Sequence, residues 1–198
     1  MLKKLSLVTA SVISAFAMHT AEININDKDL ELGVNFDLGQ VNDTVEPNTT
    51  FIGVRYLNGS DDNANTDISG YAEASFLMKR EVQDSGIIFG IGLKTNYTKV
   101  QGSSYVTIPL GLEAGYTLPV AVPVIFGAKV YYAPQSLAFS KAESFLEYRA
   151  DVSIEVIEKG SVILGYRNID TNIDTNIETL NRDVNYNESF YFGFKFAF

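Results

Sequence analysis

From residue 29 to its end the chain keeps returning to one pattern, a strict alternation of side-chain character. In Ser189–Phe198, Phe190, Phe192, Phe194, Phe196 and Phe198 fall on one face; Ser189, Tyr191, Gly193, Lys195 and Ala197 fall on the other. A period of two belongs to an extended strand, whose successive side chains point to opposite sides of the sheet. Phe145–Val156 repeats it, with Leu146, Tyr148, Ala150, Val152, Ile154 and Val156 opposite Glu147, Arg149, Asp151, Ser153 and Glu155. Seven more segments share the period: Asp29–Gly39, Thr50–Asn58, Ile68–Lys79, Ile87–Tyr97, Tyr105–Thr117, Val122–Ala133 and Ser161–Asn168. Nine strands are therefore expected, most of them near the roughly 9–11 residues that a tilted membrane strand needs.

The direction of the faces follows from volume. A small soluble barrel of the lipocalin kind would turn the apolar face inward. The lumen of so narrow a barrel cannot hold all these apolar side chains, and the glycines and charges would be left to coat the outside. Inverted, the arrangement works, with apolar residues meeting lipid while glycines and paired charges fill the interior. The expected fold is an all-β, antiparallel transmembrane β-barrel.

Connections and aromatics agree with that reading. Counted back from the last strand, the long Asn168–Glu188, Ala133–Ser144 and Asn58–Asp67 segments fall at one end, and the short Lys79–Gly86 and Glu158–Gly160 turns at the other. Tyr56, Tyr97, Tyr132, Tyr148 and Tyr166 gather at the long-loop end, with Tyr116, Phe196 and Phe198 opposite, as two interfacial girdles. Termini on one side require an even strand number. Glu22-Ile-Asn-Ile-Asn26 supplies a tenth strand, because the apolar phase flips from Ile23 and Ile25 to Leu30 onward across Asp27-Lys28. Ten strands are preferred narrowly to eight. Pro109, inside a good strand, cannot donate to the ladder, and a bulge is expected there.

The first residues have the layout of a secretory signal. Lys3 and Lys4 precede the short apolar run Leu5–Ala15, and Ala15-Phe16-Ala17 offers a small-x-small cleavage site. A signal at 1–17 and a barrel at 22–198 are expected, with cleavage after Ala21 as the competing choice, which puts His19 where small residues are preferred. Losing Lys3 and Lys4 moves the formal charge from −9 to about −11, which disfavours nucleic acid as a partner. There is no cysteine, so export brings no disulfide framework and thiol chemistry is excluded.

Chemistry has little to work with. The single histidine, His19, lies in or beside the signal segment, which removes the usual histidine-assisted nucleophiles. Glu147, Asp151 and Glu155 share one face and formally allow a carboxylate pair. Among Lys94, Lys129, Arg149 and Arg167 they are better read as a lumen charge network, with Glu73, Glu113 and Lys195 as its further members. No metal-ligand spacing is present and no cofactor is expected. Asp61-Asp62-Asn63 reads as a solvated loop tip. Asn168–Thr179 is a four-residue repeat, read as an expansion within a surface loop, with a cation- or host-contact loop as the alternative.

At Tyr131-Tyr-Ala-Pro-Gln-Ser-Leu-Ala-Phe139 the sequence resembles the YfaZ family of Gram-negative outer-membrane proteins, whose members carry a similar Tyr-Tyr-Ala-Pro-x-x-Leu-x-Phe stretch at the end of a central strand. Gly165-Tyr-Arg167 and the final Phe192-Gly-Phe-Lys-Phe-Ala-Phe198 are similar to that family's last two strands. The likeness runs from about Val124 to Phe198 and is architectural before that. It implies an outer-membrane barrel without an established activity, and carries over no catalytic residue.

The expectation is a non-enzymatic outer-membrane protein with a side-chain-filled lumen and a structural or surface-interaction role. A narrow, porin-like channel or conduit along the glycine-lined interior is the alternative. The expected partners are membrane lipid and the outer-membrane assembly machinery, which would read Phe194, Phe196 and Phe198 as its recognition signal; no surface ligand is named.

Overall fold

The computed structural model describes residues 19–58, 70–100, 103–173 and 183–198. Its strands are β1 Thr20–Ile25, β2 Leu30–Asp37, β3 Thr50–Asn58, β4 Tyr71–Glu81, β5 Ile87–Val100 and β6 Ser103–Thr107. They continue with β7 Leu110–Leu118, β8 Val124–Ala133, β9 Ala138–Phe139, β10 Ala142–Ile157, β11 Gly160–Ile173 and β12 Asp183–Ala197. Every pairing is antiparallel, and the chain returns to its start where β12 pairs with β1. Both β6 and β7 lie against β5, as two halves of one wall position, and β9 is a two-residue ribbon on β6. The result is a closed barrel of ten strands.

The tenth strand is β1. It pairs from Thr20↔Ala197 to Ile25↔Phe192 on one side and from Thr20↔Asn35 to Ile25↔Leu30 on the other. Asn26 shapes the turn that follows, its Oδ1 accepting the N–H groups of Lys28 (2.8 Å) and Asp29 (2.6 Å). The barrel thus begins at Thr20, ahead of the expected Glu22. His19 extends it further, exchanging backbone hydrogen bonds with Phe198. The only histidine is therefore part of the barrel's closing seam.

Three further expectations change. Pro109 does not sit on a bulge; it marks a change of partner. Lys94 N–H donates to the Pro109 carbonyl (3.0 Å), while Ile108 N–H donates to Leu137 (2.8 Å), so the chain leaves β8 at that level and takes β9 as its neighbour. The connection between β11 and β12 is shorter than expected, because β11 runs to Ile173 and β12 starts at Asp183. The first half of the repeat is strand. Third, the 38–49 connection lies at the end that holds the termini, so not every turn there is short; its start is the 3-10 turn Leu38–Gln40, capped by Asp37. The signal segment at 1–17, the Asn58–Asp67 loop beyond Asn58 with Asp61-Asp62-Asn63, and the 174–179 half of the repeat lie outside the described residues.

Polarity inverts along the taller strands. On β11 the outward face reads Val162, Leu164, Tyr166 and then Asn168, Asp170, Asn172; the inward face reads Gly165, Arg167 and then Ile169, Thr171, Ile173. The strand keeps its phase through the change, and Ile169, Thr171 and Ile173 are buried. On β5 the outward Phe89, Ile91 and Leu93 are exposed below Tyr97, while Lys94, Asn96 and Thr98 are buried inside. The tyrosines expected as a girdle mark the level of the change, Tyr166 packing on Phe190 with ring centroids 5.1 Å apart.

The two faces of the β11 extension should respond oppositely to charge. Ile169→Lys, which buries an unpaired ammonium, is expected to destabilise the barrel by about 3 kcal/mol or more, and Asn172→Lys by less than about 0.5 kcal/mol. Denaturant unfolding in detergent checks this; equal effects would return the segment to a loop.

Candidate functional site

Ten strands enclose a lumen whose middle is occupied by charge. Lys94 on β5 donates to Glu147 on β10 (2.7 Å) and to Glu73 on β4 (3.0 Å). Arg149, two residues along β10, donates from Nε to Glu147 (2.5 Å) and from Nη1 to Glu31 on β2 (2.8 Å). Glu31 also receives Arg55 of β3 (3.2 Å) and Asn24 of β1 (2.8 Å), and its second oxygen lies 3.1 Å from Nη1 of Arg167. Arg167 on β11 donates from Nε to Asn187 (2.7 Å) and reaches Asp29 at 3.8 Å. Four carboxylates, Asp29, Glu31, Glu73 and Glu147, thus meet four cations, Arg55, Lys94, Arg149 and Arg167. The band is formally neutral, as a buried set of charges must nearly be.

This brings together five of the expected network residues, Glu73, Lys94, Glu147, Arg149 and Arg167. Glu31, Arg55 and Asp29 were not among those expected, although the alternation places Glu31 and Arg55 on inward faces. Glu31 is the most shared acceptor of the band, and only the ring closure reveals it, since its partner Arg149 lies 118 residues away. The other expected members lie nearer the terminus end. Glu113 accepts from Tyr131 (2.6 Å) and is the register partner of Lys129 across β7 and β8. Lys129, Asp151 and Lys195 line the lumen half-buried and make no close ion pair among the described residues. Glu155 does not join the network. Its carboxylate accepts the N–H of Lys159 (3.2 Å) and caps the β10–β11 turn, where Lys159 has a φ of 64°.

Toward the long-loop end the lumen turns apolar. Leu57, Tyr71, Tyr105, Phe145, Ile173 and Tyr186 are buried in one cluster, with Tyr71 and Phe145 stacked at 6.3 Å. The stretch Tyr131–Phe139 builds much of it. Tyr131 lies across the lumen with its ring under Lys94 Nζ (3.9 Å); Ala133 is fully buried; Gln135–Leu137 form a 3-10 turn, and Leu137 and Ala138 pack on the cluster. Glycines make the room. A Cβ at Gly92 would stand 2.1 Å from the Tyr131 hydroxyl, and one at Gly111 2.3 Å from its ring. Among the cluster's aromatic rings is a cavity of about 10 Å³, space for one water, lined by Tyr71, Tyr105, Phe145 and Tyr186 together with Asn96 and Thr171.

The stretch Tyr131–Phe139 that contributes to this cap is the one whose resemblance to a known family is most specific, and a family model described as YfaZ precursor matches residues 2–198. The chain belongs to the YfaZ family. The match covers the strands before Val124 as well, where the resemblance was architectural. Comparison with curated proteins finds no match. In this YfaZ barrel the phenylalanines that end the chain face outward, Phe196 and Phe198 exposed and Phe194 half-buried, while Tyr191 is buried in the lumen.

The charge band sets a contrast between two glutamates of one strand. Glu147→Gln leaves Lys94 and Arg149 each short of a buried partner and is expected to cost roughly 3 kcal/mol. Glu155→Gln, at the exposed turn, should cost less than about 0.5 kcal/mol. Unfolding midpoints of the two purified variants measure the difference; similar losses would place Glu155 in the network after all.

Proposed function

We propose that the protein is an outer-membrane β-barrel without catalytic activity, exported on an N-terminal signal segment, closed across its lumen, and structural or surface-interacting in role. The observation that carries this is the paired inversion on β11, apolar-to-polar outside and charged-to-apolar inside at Tyr166 and Arg167. An outer surface apolar below one level and polar above it fits a barrel standing in a bilayer with its upper strands in water. Soluble monomers rarely expose apolar patches beyond a few hundred Å². Here Ile91 (68 % exposed), Leu112, Leu164 and Phe192 belong to a belt around the ring.

Two layers favour closure over conduction. The neutral charge band crosses from β2 to β10, and the aromatic cap covers it. Four of the lumen glycines, which suggest a passage, are blocked: Gly92 and Gly111 stand against Tyr131, Gly165 against Tyr191 and Gly193 against Asn24, whose side chains occupy the space a Cβ would need. A non-enzymatic role fits the state of the charges, since Glu31 and Glu147 are each held by two or more cations. His19 fits it too: its Nδ1 accepts the Asp37 N–H (3.1 Å), a seam contact. Membrane lipid is the partner of the belt, and the assembly machinery the reader of Phe194, Phe196 and Phe198.

Purified protein in planar bilayers is expected to be electrically silent. A resolved, ion-selective step would overturn closure and favour the conduit. Membrane placement has its own test. Ile91→Arg should cost roughly 2–4 kcal/mol for folding into lipid vesicles, although the position is exposed, because arginine near the bilayer midplane must be dehydrated. Asn172→Arg, outward above the tyrosines, should fold nearly as the parent does. Tolerance of Ile91→Arg in lipid would mean that water surrounds this face.

A further inference from the structure

We infer that signal peptidase cuts this chain between Ala17 and Met18, so that the mature barrel keeps His19, Thr20 and Ala21. The inference rests on the proposed export. Two small-x-small sites compete, Ala15-Phe16-Ala17 and His19-Thr20-Ala21. The second carries a bulky imidazole where a small residue is preferred.

The seam decides between them. His19 N–H donates to the Phe198 carbonyl (3.0 Å), and Phe198 N–H donates back to His19 (2.9 Å). Thr20 and Ala21 continue the ladder against Ala197 and Phe196 on β12, and against Asn35 and Val34 on β2. The His19 ring lies edge-on to Phe36 (5.4 Å) and Phe198 (5.7 Å), and its Nδ1 takes the Asp37 N–H. Asn35 Nδ2 donates to the Thr20 hydroxyl (3.3 Å).

A cut after Ala21 would remove all three residues. Phe196–Phe198 and Val34–Asp37 would then face each other across a gap with their ladder groups unpaired. β1 has six residues, so it would lose a third of the only strand that closes the ring. An open edge at an apolar wall is the defect a membrane barrel tolerates least. A cut after Ala17 leaves the whole seam in place, with one residue, Met18, ahead of the last backbone pair.

The test is the intact mass of the protein extracted from outer membranes of a Gram-negative host, with peptide sequencing of its N-terminus. An N-terminal Met18 is expected; an N-terminal Glu22 in the membrane fraction overturns this inference while leaving the export reading standing. Mature protein starting at Met18 but recovered from the soluble periplasm upholds the cleavage site and overturns the membrane reading. Two variants sharpen the result. Ala17→Leu should accumulate uncleaved precursor, whereas Ala21→Leu, on the outward face of β1, should be processed as the parent is. The reverse pattern overturns the assignment.

Discussion

Every part of this barrel depends on an unbroken ring of backbone hydrogen bonds. In the proposed bilayer setting a sheet has no tolerable free edge, because each unpaired N–H or C=O would be buried in lipid without a partner. β1 carries that demand with six residues, paired on both sides along their whole length. Its shortness is permitted because closure needs continuity, and the taller β10, β11 and β12 supply the wall above it. Once the ring closes at ten strands its circumference is fixed, and so is the volume that inward side chains must fill.

Filling that volume with charge demands balance. The band pairs four carboxylates with four cations, and most members serve more than one partner; Arg149 alone joins Glu31 of β2 to Glu147 of its own strand. Buried ion pairs contribute little net stability over apolar packing, but breaking one is costly. Their effect here is on register. Lys94 meets Glu147 across 53 residues of sequence, and Arg149 meets Glu31 across 118. A slip of one residue in either strand would turn its charges outward and leave their partners alone. The glycines enter the same argument through size, since Tyr131 lies flat only because Gly92 and Gly111 carry no Cβ.

Much of this was legible in the sequence, because alternation is a property of single strands. The nine segments, the tenth strand signalled by the phase flip at Asp27-Lys28, and the inward position of Lys94, Glu147, Arg149 and Arg167 all follow from counting by two. What could not be read is whatever depends on which strands face each other across the ring. Glu31 and Arg55 alternate inward like many other residues, and their importance arises only when β2 and β10 come to opposite walls. Glu155 fails for the complementary reason: it shares the inward phase of Glu147 but lies at the strand's end, where a turn N–H is nearer than any cation. Pro109 was visible as a conflict, and its resolution needed β9, two residues long and too short to show a period.

The repeat in β11 shows where a period stops being informative. Asn168-Ile-Asp-Thr repeats every four residues, two strand periods, so each added unit preserves the faces while an odd insertion would exchange them. The described part of it, Asn168–Ile173, alternates as cleanly as Phe190–Phe198, but with its apolar residues inward. Alternation alone reports that one face is apolar, without saying which side of the wall that face occupies. The direction is set by continuity with the residues just before it. Tyr166 points out and Arg167 points in, so Ile169, Thr171 and Ile173 must follow Arg167 into the lumen, and Asn168, Asp170 and Asn172 must follow Tyr166 to the outside. There the amides bond to one another and to the Asp170 carboxylate, Asn185 donating to Asp170 (2.6 Å) and to Asn168 (2.7 Å). A polar outer face and an apolar interior in one extension, without a change of phase, are what the proposed bilayer setting requires at the level where the wall leaves the lipid.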